Sequence, residues 1–493
     1  MSELERLALG CLFPGFEGLE APEWILRRLA AGLGGVVLYA RNVESREQLA
    51  ALTEQLRAER ADVLVAIDEE GGDVTRLEAT TGSSYPGNAA LGAVDDVALT
   101  EEVASALGTD LRAVGVNLDF APVADVNSNP ANPIIGIRSF GADPELVARH
   151  VAAFVRGLQS SGVAGCAKHF PGHGDTDADS HLELPAIHAD RETLFARELV
   201  PFRAAISAGV QALMTAHILV PALDETPATA SRVFLQELLR RELAFDGMVM
   251  TDALEMRAIS ATVGVEDGAV AAISAGADAL CFGHDLADAS VESVTAVLVA
   301  AVGSGRLAEE RLAEAFDRVR CVSEWTTDTG AMASVTAPGV GLEAARRAVV
   351  SDGPVVLSRP AFIVELTVEP SIAAGPSPGA GEWLHRALPD SVLQRKSAAS
   401  GLEDVESSDP HQFVLVVHDV HRHPREREAV ESLVAAHPDA VVVEVGIPEW
   451  RPNGRTGYIA SYGAGRVNLE AAAERLSGGR AILPAATRGG AVR

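Results

Sequence analysis

The chain has 493 residues, of which 47% are apolar and 22% charged, and a formal net charge of -29. That length exceeds one ordinary domain and suits a barrel of about 250 residues or more followed by a smaller domain, with a composition able to bury a sizeable core. So acidic a chain repels phosphate backbones and anionic lipid surfaces, so neither nucleic acid nor a membrane is an expected partner.

The N-terminal stretch MSELERLALGCLFPGFEG carries Glu3 and Glu5 and lacks a basic segment followed by a long apolar one, so no signal peptide is expected. No run of about 18 apolar residues is present to span a bilayer. Cys11, Cys166, Cys281 and Cys321 are scattered without CxxC spacing, and three of them lie in apolar runs. Buried thiols in a reducing cytoplasm are expected.

Up to about residue 325, short apolar runs alternate with longer segments of helical periodicity, the pattern of repeated βα units around a parallel sheet. The runs are Leu9 to Phe13, Gly35 to Tyr39, Val63 to Ile67, Val116 to Phe120, Val163 to Ala167, Gln211 to Thr215, Met248 to Thr251 and Ala277 to Phe282. Between them, stretches such as SREQLAALTEQLRAER and PELVARHVAAFVRGLQSSG repeat apolar residues at three- and four-residue spacing. The expected fold is therefore a (β/α)8 barrel over residues 1–325.

After the helical stretch RLAEERLAEAFDRVRCVSEW, the small and polar segment TTDTGAMASVTAPGVGL reads as a linker over residues 326–341. A second, smaller α/β sandwich domain is expected over 342–493, with strands in PVVLSR, AFIVELTV, FVLVVHDV and AVVVEVGIP, a helix in EREAVESLVAAH and a surface loop in EPSIAAGPSPGAGEW.

Polar residues that follow barrel strands converge on one mouth. The third run is followed by Asp68-Glu69-Glu70-Gly71-Gly72, the fourth by APVADVNSNPANPIIGIRSFG, the fifth by KHFPGHGDTDADSH and the seventh by Asp252. The segment KHFPGHGDTDADSH, residues 168–181, combines three histidines, a run of aspartates and a lysine; Gly172 and Gly174 read as hinges that let it close over a ligand. Within it, Asp179 can fix the tautomer of His181 and leave the other ring nitrogen to exchange a proton with substrate. The rival reading is a solvated acidic loop. A carboxylate such as Asp252 at a barrel mouth can attack an anomeric carbon, whereas an Asp between strand and helix more often caps the helix, here ALEMRAI.

Taken together and in this order, IDEEGG, NPANPIIGIRSFG, KHFPGHGDTDADSH and VMTDALEM resemble the β-N-acetylglucosaminidase branch of glycoside hydrolase family 3, over roughly residues 1–325. The resemblance implies a retaining, exo-acting enzyme that hydrolyses terminal non-reducing β-linked N-acetylglucosamine. It makes Asp252 the nucleophile and His181 the acid/base, tuned by Asp179, with Asp68, Arg76, Arg138, Lys168 and His169 as sugar ligands. No metal and no cofactor are implied; the partner is a small-molecule glycoside from cell-wall or chitooligosaccharide turnover in the cytoplasm. Most glycosidases use two carboxylates. A histidine in place of the acid carboxyl does not repel an anionic acceptor, so phosphate is a rival to water as the second nucleophile. Asp73 and Ile137 depart from the family pattern, which bears on the aglycone side. Three readings of other kinds compete: a metal hydrolase using His169, His173, Asp175, Asp179 and His181, a Schiff-base aldolase using Lys168, and a non-catalytic sugar-binding barrel.

Overall fold

The computed structural model describes residues 1–180, 183–283, 287–329, 338–367, 379–397, 411–453 and 456–479. Two compact units arise: Met1–Glu70, Asp95–Ile135 and Ser139–Pro338 form the first, and Gly71–Val94, Gly136–Arg138 and Gly339–Arg493 the second.

In the first unit, the apolar runs become strands buried on both faces, so they lack the alternation of a half-exposed sheet. They are β1 (Leu12–Phe13), β2 (Gly35–Leu38), β3 (Leu64–Ile67), β4 (Leu118–Asp119), β5 (Ala164–Phe170), β6 (Ala212–Thr215), β7 (Met248–Thr251) and β8 (Leu280–Cys281). β2 to β7 pair in chain order as one parallel sheet, and β1 pairs in parallel with β8. Backbone bonds close the ring. Ala279 N–H donates to Val249 O and Thr251 N–H to Ala279 O, joining β7 to β8; Gly34 N–H donates to Leu9 O and Val37 N–H to Pro14 O, joining β1 to β2. Side chains from all the strands, among them Phe13, Leu64, Leu118, Met214 and Met250, fill the interior together with Val319 and Val322.

The helices between strands begin where their sequences signal it. Ser45 Oγ accepts the Gln48 amide at the start of Arg46–Glu59, and Asp143 caps Pro144–Ser160, which has proline in its first turn. Two strand expectations change. Leu9 ends the helix Glu3–Leu9, opened by a capping box on Ser2 and Glu5, so β1 keeps only two residues. β5 runs on past Ala167 to Phe170, so Lys168 and His169 belong to a strand rather than to the loop after it. Cys11, Cys166 and Cys281 are buried thiols as expected, and Cys321 is exposed.

The second unit holds a six-stranded sheet of β9 (Val350–Asp352), β10 (Ala361–Thr367), β11 (Val392–Ser397), β12 (Gln412–Val417), β13 (Val441–Glu444) and β14 (Gly457–Ala460). Its order is β11-β10-β12-β13-β14-β9, parallel except for the edge strand β9. Three of the expected strands are β10, β12 and β13. PVVLSR is not a strand; the chain pairs earlier, at Val350–Asp352. β11 and β14 have no counterpart among the expected strands. β11, at the sheet edge, carries Gln394, Arg395 and Lys396, which do not read as apolar, and β14 is only four residues long. The expected helix is Pro424–Ala436. Most of the expected loop 369–383 lies outside the described residues, and its end opens the helix Ala380–Ala387. Of the expected linker, residues 330–337 also lie outside them, while the helix Glu309–Asp328 extends into its start.

Two residues before β8, Asp278 is fully buried. It accepts the Val249 amide at 2.9 Å and pairs with Arg240 at 2.5 Å and with Arg311, tying β7, β8 and two outer helices together. Burial nevertheless pushes its carboxyl above the usual range, the arginines opposing. Asp278→Ala leaves Arg240 and Arg311 facing a buried gap and is expected to lower unfolding free energy by about 3–5 kcal/mol, measured by denaturant titration. A change within about 0.5 kcal/mol would show that this cluster does not hold the barrel closed.

Candidate active site

Every site residue of the first unit described here stands at or after the C-terminal end of a barrel strand. Lys168 owes its place to an irregularity in β5. The register between β5 and β6 shifts between Ala167 and Phe170, and Lys168 bridges to Val123. Such bulges re-aim side chains beside functional sites. Lys168 is 2% exposed, and its Nζ lies 2.6 Å from Asp68 Oδ1 and 2.7 Å from Glu70 Oε1. A buried ammonium is tolerable only with such partners. The aldolase reading needs a desolvated amine that loses its proton easily, and two carboxylates on the ammonium act against that.

His169 is oriented by Asp125. The Asp125 carboxylate accepts the His169 ring Nδ1–H at 2.7 Å and the His169 and His173 backbone amides at 3.1 and 2.7 Å. Burial works to raise this carboxyl, but the charge and hydrogen bonds of His169 and His173 hold it below the usual carboxylate range. With Nδ1 committed, Nε2 is the His169 nitrogen left for a ligand.

The segment after β5 is packed rather than hinged. A Cβ on Gly174 would lie 1.7 Å from the Val126 carbonyl oxygen, so only glycine allows this approach of loop to backbone. His173 is pushed down to about 4 by burial and by the neighbouring His169, and is neutral near pH 7. The Thr176 hydroxyl donates to the His173 carbonyl at 3.0 Å, so His173 Nδ1–H donates to Thr176 Oγ1 at 2.8 Å. Nε2 is then the acceptor for the Ser180 hydroxyl at 3.1 Å. Both nitrogens of His173 are thus used inside the loop, which speaks against the metal-ligand reading. Ser180 sits between Asp179, which is half-buried, and His181, which lies outside the described residues.

Asp252 follows β7. Its amide donates to Thr215 O at 3.2 Å, and its Oδ1 accepts the adjacent Ala253 amide at 2.8 Å. The next helix, Arg257–Ser260, starts from Met256 without a side-chain cap, so Asp252 is not a helix cap. Asp252, Asp68 and Glu255 all act to raise the buried Cys281 thiol, after burial itself, and the charge of Asp252 also reaches His173. The mouth therefore gathers carboxylates around one paired lysine. Arg76 and Arg138 belong to the second unit, where Asn88 Nδ2 donates to the Arg138 carbonyl.

The glycosyl hydrolase family 3 N-terminal domain matches residues 20–322. The chain belongs to that family. It is 37% identical over 314 residues to β-hexosaminidase A of Pseudoalteromonas piscicida, an alignment covering 58% of this chain and 52% of that one. It therefore spans about half the length of that relative. It is 41% identical over 295 residues to a β-hexosaminidase of Thiobacillus denitrificans, covering 57% of this chain and 81% of that one. Among solved structures, a family 3 β-N-acetylglucosaminidase from Paenibacillus sp. str. FPU-7 is similar over 98% of both chains, with a TM-score of 0.83 and 34% identity.

Sequence reasoning passed over Asp125, Asp119 and Glu198 in this family 3 chain. Asp125 carried a signal, as an acidic residue in the segment after β4. Asp119, fully buried, accepts the Glu69 amide at 3.0 Å and has its carboxyl raised well above the usual range by burial. Glu198 lies in the π-helical turn Leu194–Glu198, where nothing in the sequence sets it apart.

Asp125→Asn presents an amide donor to the His169 Nδ1–H and is expected to cut kcat/KM about a hundredfold or more while the fold persists, checked by steady-state kinetics and circular dichroism. Unchanged kcat/KM would remove the orienting role. Burial pushes the Glu198 carboxyl up to about 7 from an ordinary 4.5, so its contribution to stability is complete below about pH 4.5 and is lost as pH rises through about 7. Glu198→Gln, which does not ionise, should therefore gain in Tm relative to wild type between pH 5 and pH 8, and a constant difference across that range would contradict the assignment.

Proposed function

We propose that this chain is a retaining, exo-acting β-N-acetylglucosaminidase with Asp252 as nucleophile and the Asp179/His181 pair as acid/base. The observation that carries the reading is Asp252, held at the end of β7 and not spent on a helix cap, in a mouth built with an anchored loop that bears Asp179. In the first step an Asp252 oxygen bonds to the anomeric carbon as the glycosidic C–O bond breaks, and the leaving oxygen takes a proton from His181. In the second, His181 takes a proton from water, the water oxygen bonds to the anomeric carbon, and the Asp252 ester bond breaks. Two inversions give retention. Asp68 and Lys168, paired to each other, and the Nε2 side of His169 are suited to hold sugar hydroxyls.

Water is the acceptor we favour. Asp68, Glu70, Asp252 and Glu255 stand around the mouth, and Lys168 is already paired to two of them, a setting unfavourable to a phosphate dianion. The substrates we propose are cell-wall fragments or chitooligosaccharides in the cytoplasm. Among the described residues, no helix is long and apolar enough to cross a membrane.

Asp252→Ala is expected to abolish cleavage of 4-nitrophenyl N-acetyl-β-glucosaminide, by about four orders of magnitude or more in kcat. Turnover surviving in that variant would sink the mechanism. With wild type, N-acetylglucosamine should be the only sugar product whether or not phosphate is present; a sugar 1-phosphate would make the chain a phosphorylase.

A further inference from the structure

The segment after β5 is held from beneath by two residues that the proposed chemistry does not use. Arg197 Nη2 lies 2.5 Å from Asp175 Oδ2, within the segment, and Arg197 Nε lies 2.6 Å from Glu198 Oε1. Glu198 is fully buried. Its stem packs on Gly172, where a Cβ would come within 2.8 Å of Glu198 Cβ. Its second oxygen, Oε2, is buried and has no hydrogen-bond partner among the described residues. A buried carboxylate in this state is costly. An apolar side chain would fill the same space at less cost, so packing alone does not explain a glutamate here. The π-helical turn that carries both residues is a rare geometry, found most often at functional sites.

From Asp175 the connections continue toward the proton carrier. Thr176 follows directly and is tied to His173, whose carbonyl also accepts from Asn132 Nδ2 at 2.9 Å. His173 in turn receives the Ser180 hydroxyl. The segment is thereby clamped at Asp175 by Arg197 and at Ser180 by His173, with Asp179 just before the second clamp.

We infer that Glu198, acting through Arg197 and Asp175, is a positioning residue for the proton-transfer loop. It fixes the guanidinium that holds the loop at Asp175, so its loss lets Asp179 drift without removing it. The inference rests on the reading of that pair as the acid/base. Charged groups facing Glu198 are Arg197 on its own turn, Asp175 on the loop and Asp125 after β4. Burial and the two aspartates oppose its ionisation, and Arg197 favours it.

Misplacing a general acid hurts bond cleavage most when the leaving group needs a proton. The test is kcat/KM for phenyl, 4-nitrophenyl and 2,4-dinitrophenyl N-acetyl-β-glucosaminides with wild type, Glu198→Gln, Asp175→Asn and His181→Ala. Glu198→Gln should lose about ten- to a hundredfold on the phenyl substrate and less than about twofold on the dinitrophenyl one. Asp175→Asn, which cuts the same chain from the other end, should follow the same trend and serves if Glu198→Gln does not fold. An equal loss on all three substrates, or none, would overturn the proposal while a steep dependence in His181→Ala left the acid/base reading standing. If His181→Ala itself shows no leaving-group dependence, the acid/base reading fails and the proposal falls with it.

Discussion

The site is organised around the Asp125 carboxylate. One buried anion accepts the backbone amides of His169 and His173 and one imidazole N–H, so the end of β5 and the start of the following segment are held by a single group. Without its charge, His169 would be free to take either tautomer and the backbone at His173 would lose its acceptor. The interactions with the histidines outweigh the burial that would otherwise neutralise it. Lys168 on the same strand is balanced in a similar way, by Asp68 and Glu70 from the end of β3.

Beneath these pairs, the buried carboxyls behave differently according to what meets them. Asp125 is held below the usual carboxylate range because imidazole and amide donors meet it. Asp119, which accepts one amide and is otherwise enclosed, is pushed toward its neutral form. Glu198 stands between, with one arginine in its favour and two aspartates against. Similar residues in one barrel mouth thus take different charge states from their surroundings, the usual means by which one fold places an acid and a base side by side.

Much of the barrel was legible in the chain. Runs such as Val63 to Ile67 and Met248 to Thr251 are apolar throughout because both faces of a parallel barrel strand are covered, and that leaves a clear mark. Where the mark failed, a local competitor won. At Leu9 the capping box of Ser2 and Glu5 drew the residue into a helix, and at Lys168 charged side chains hid a strand whose charges are paired internally. In the second unit, β11 carries polar residues because it is an edge, and PVVLSR is apolar without pairing.

By itself the sequence determined the eightfold βα rhythm, the family, and the residue types gathered at the strand ends, since these depend on periodicity and on motifs contiguous in the chain. Only the tertiary structure decided what each of those residues does not do and which distant residues govern it. It removed Asp252 from helix capping, turned Gly174 from a hinge into a point of close backbone approach, and brought Asp125 and Glu198 against the His169 and Gly172 region. Such pairings join residues tens of positions apart, and their strength comes from burial, which a linear pattern of charges does not reveal.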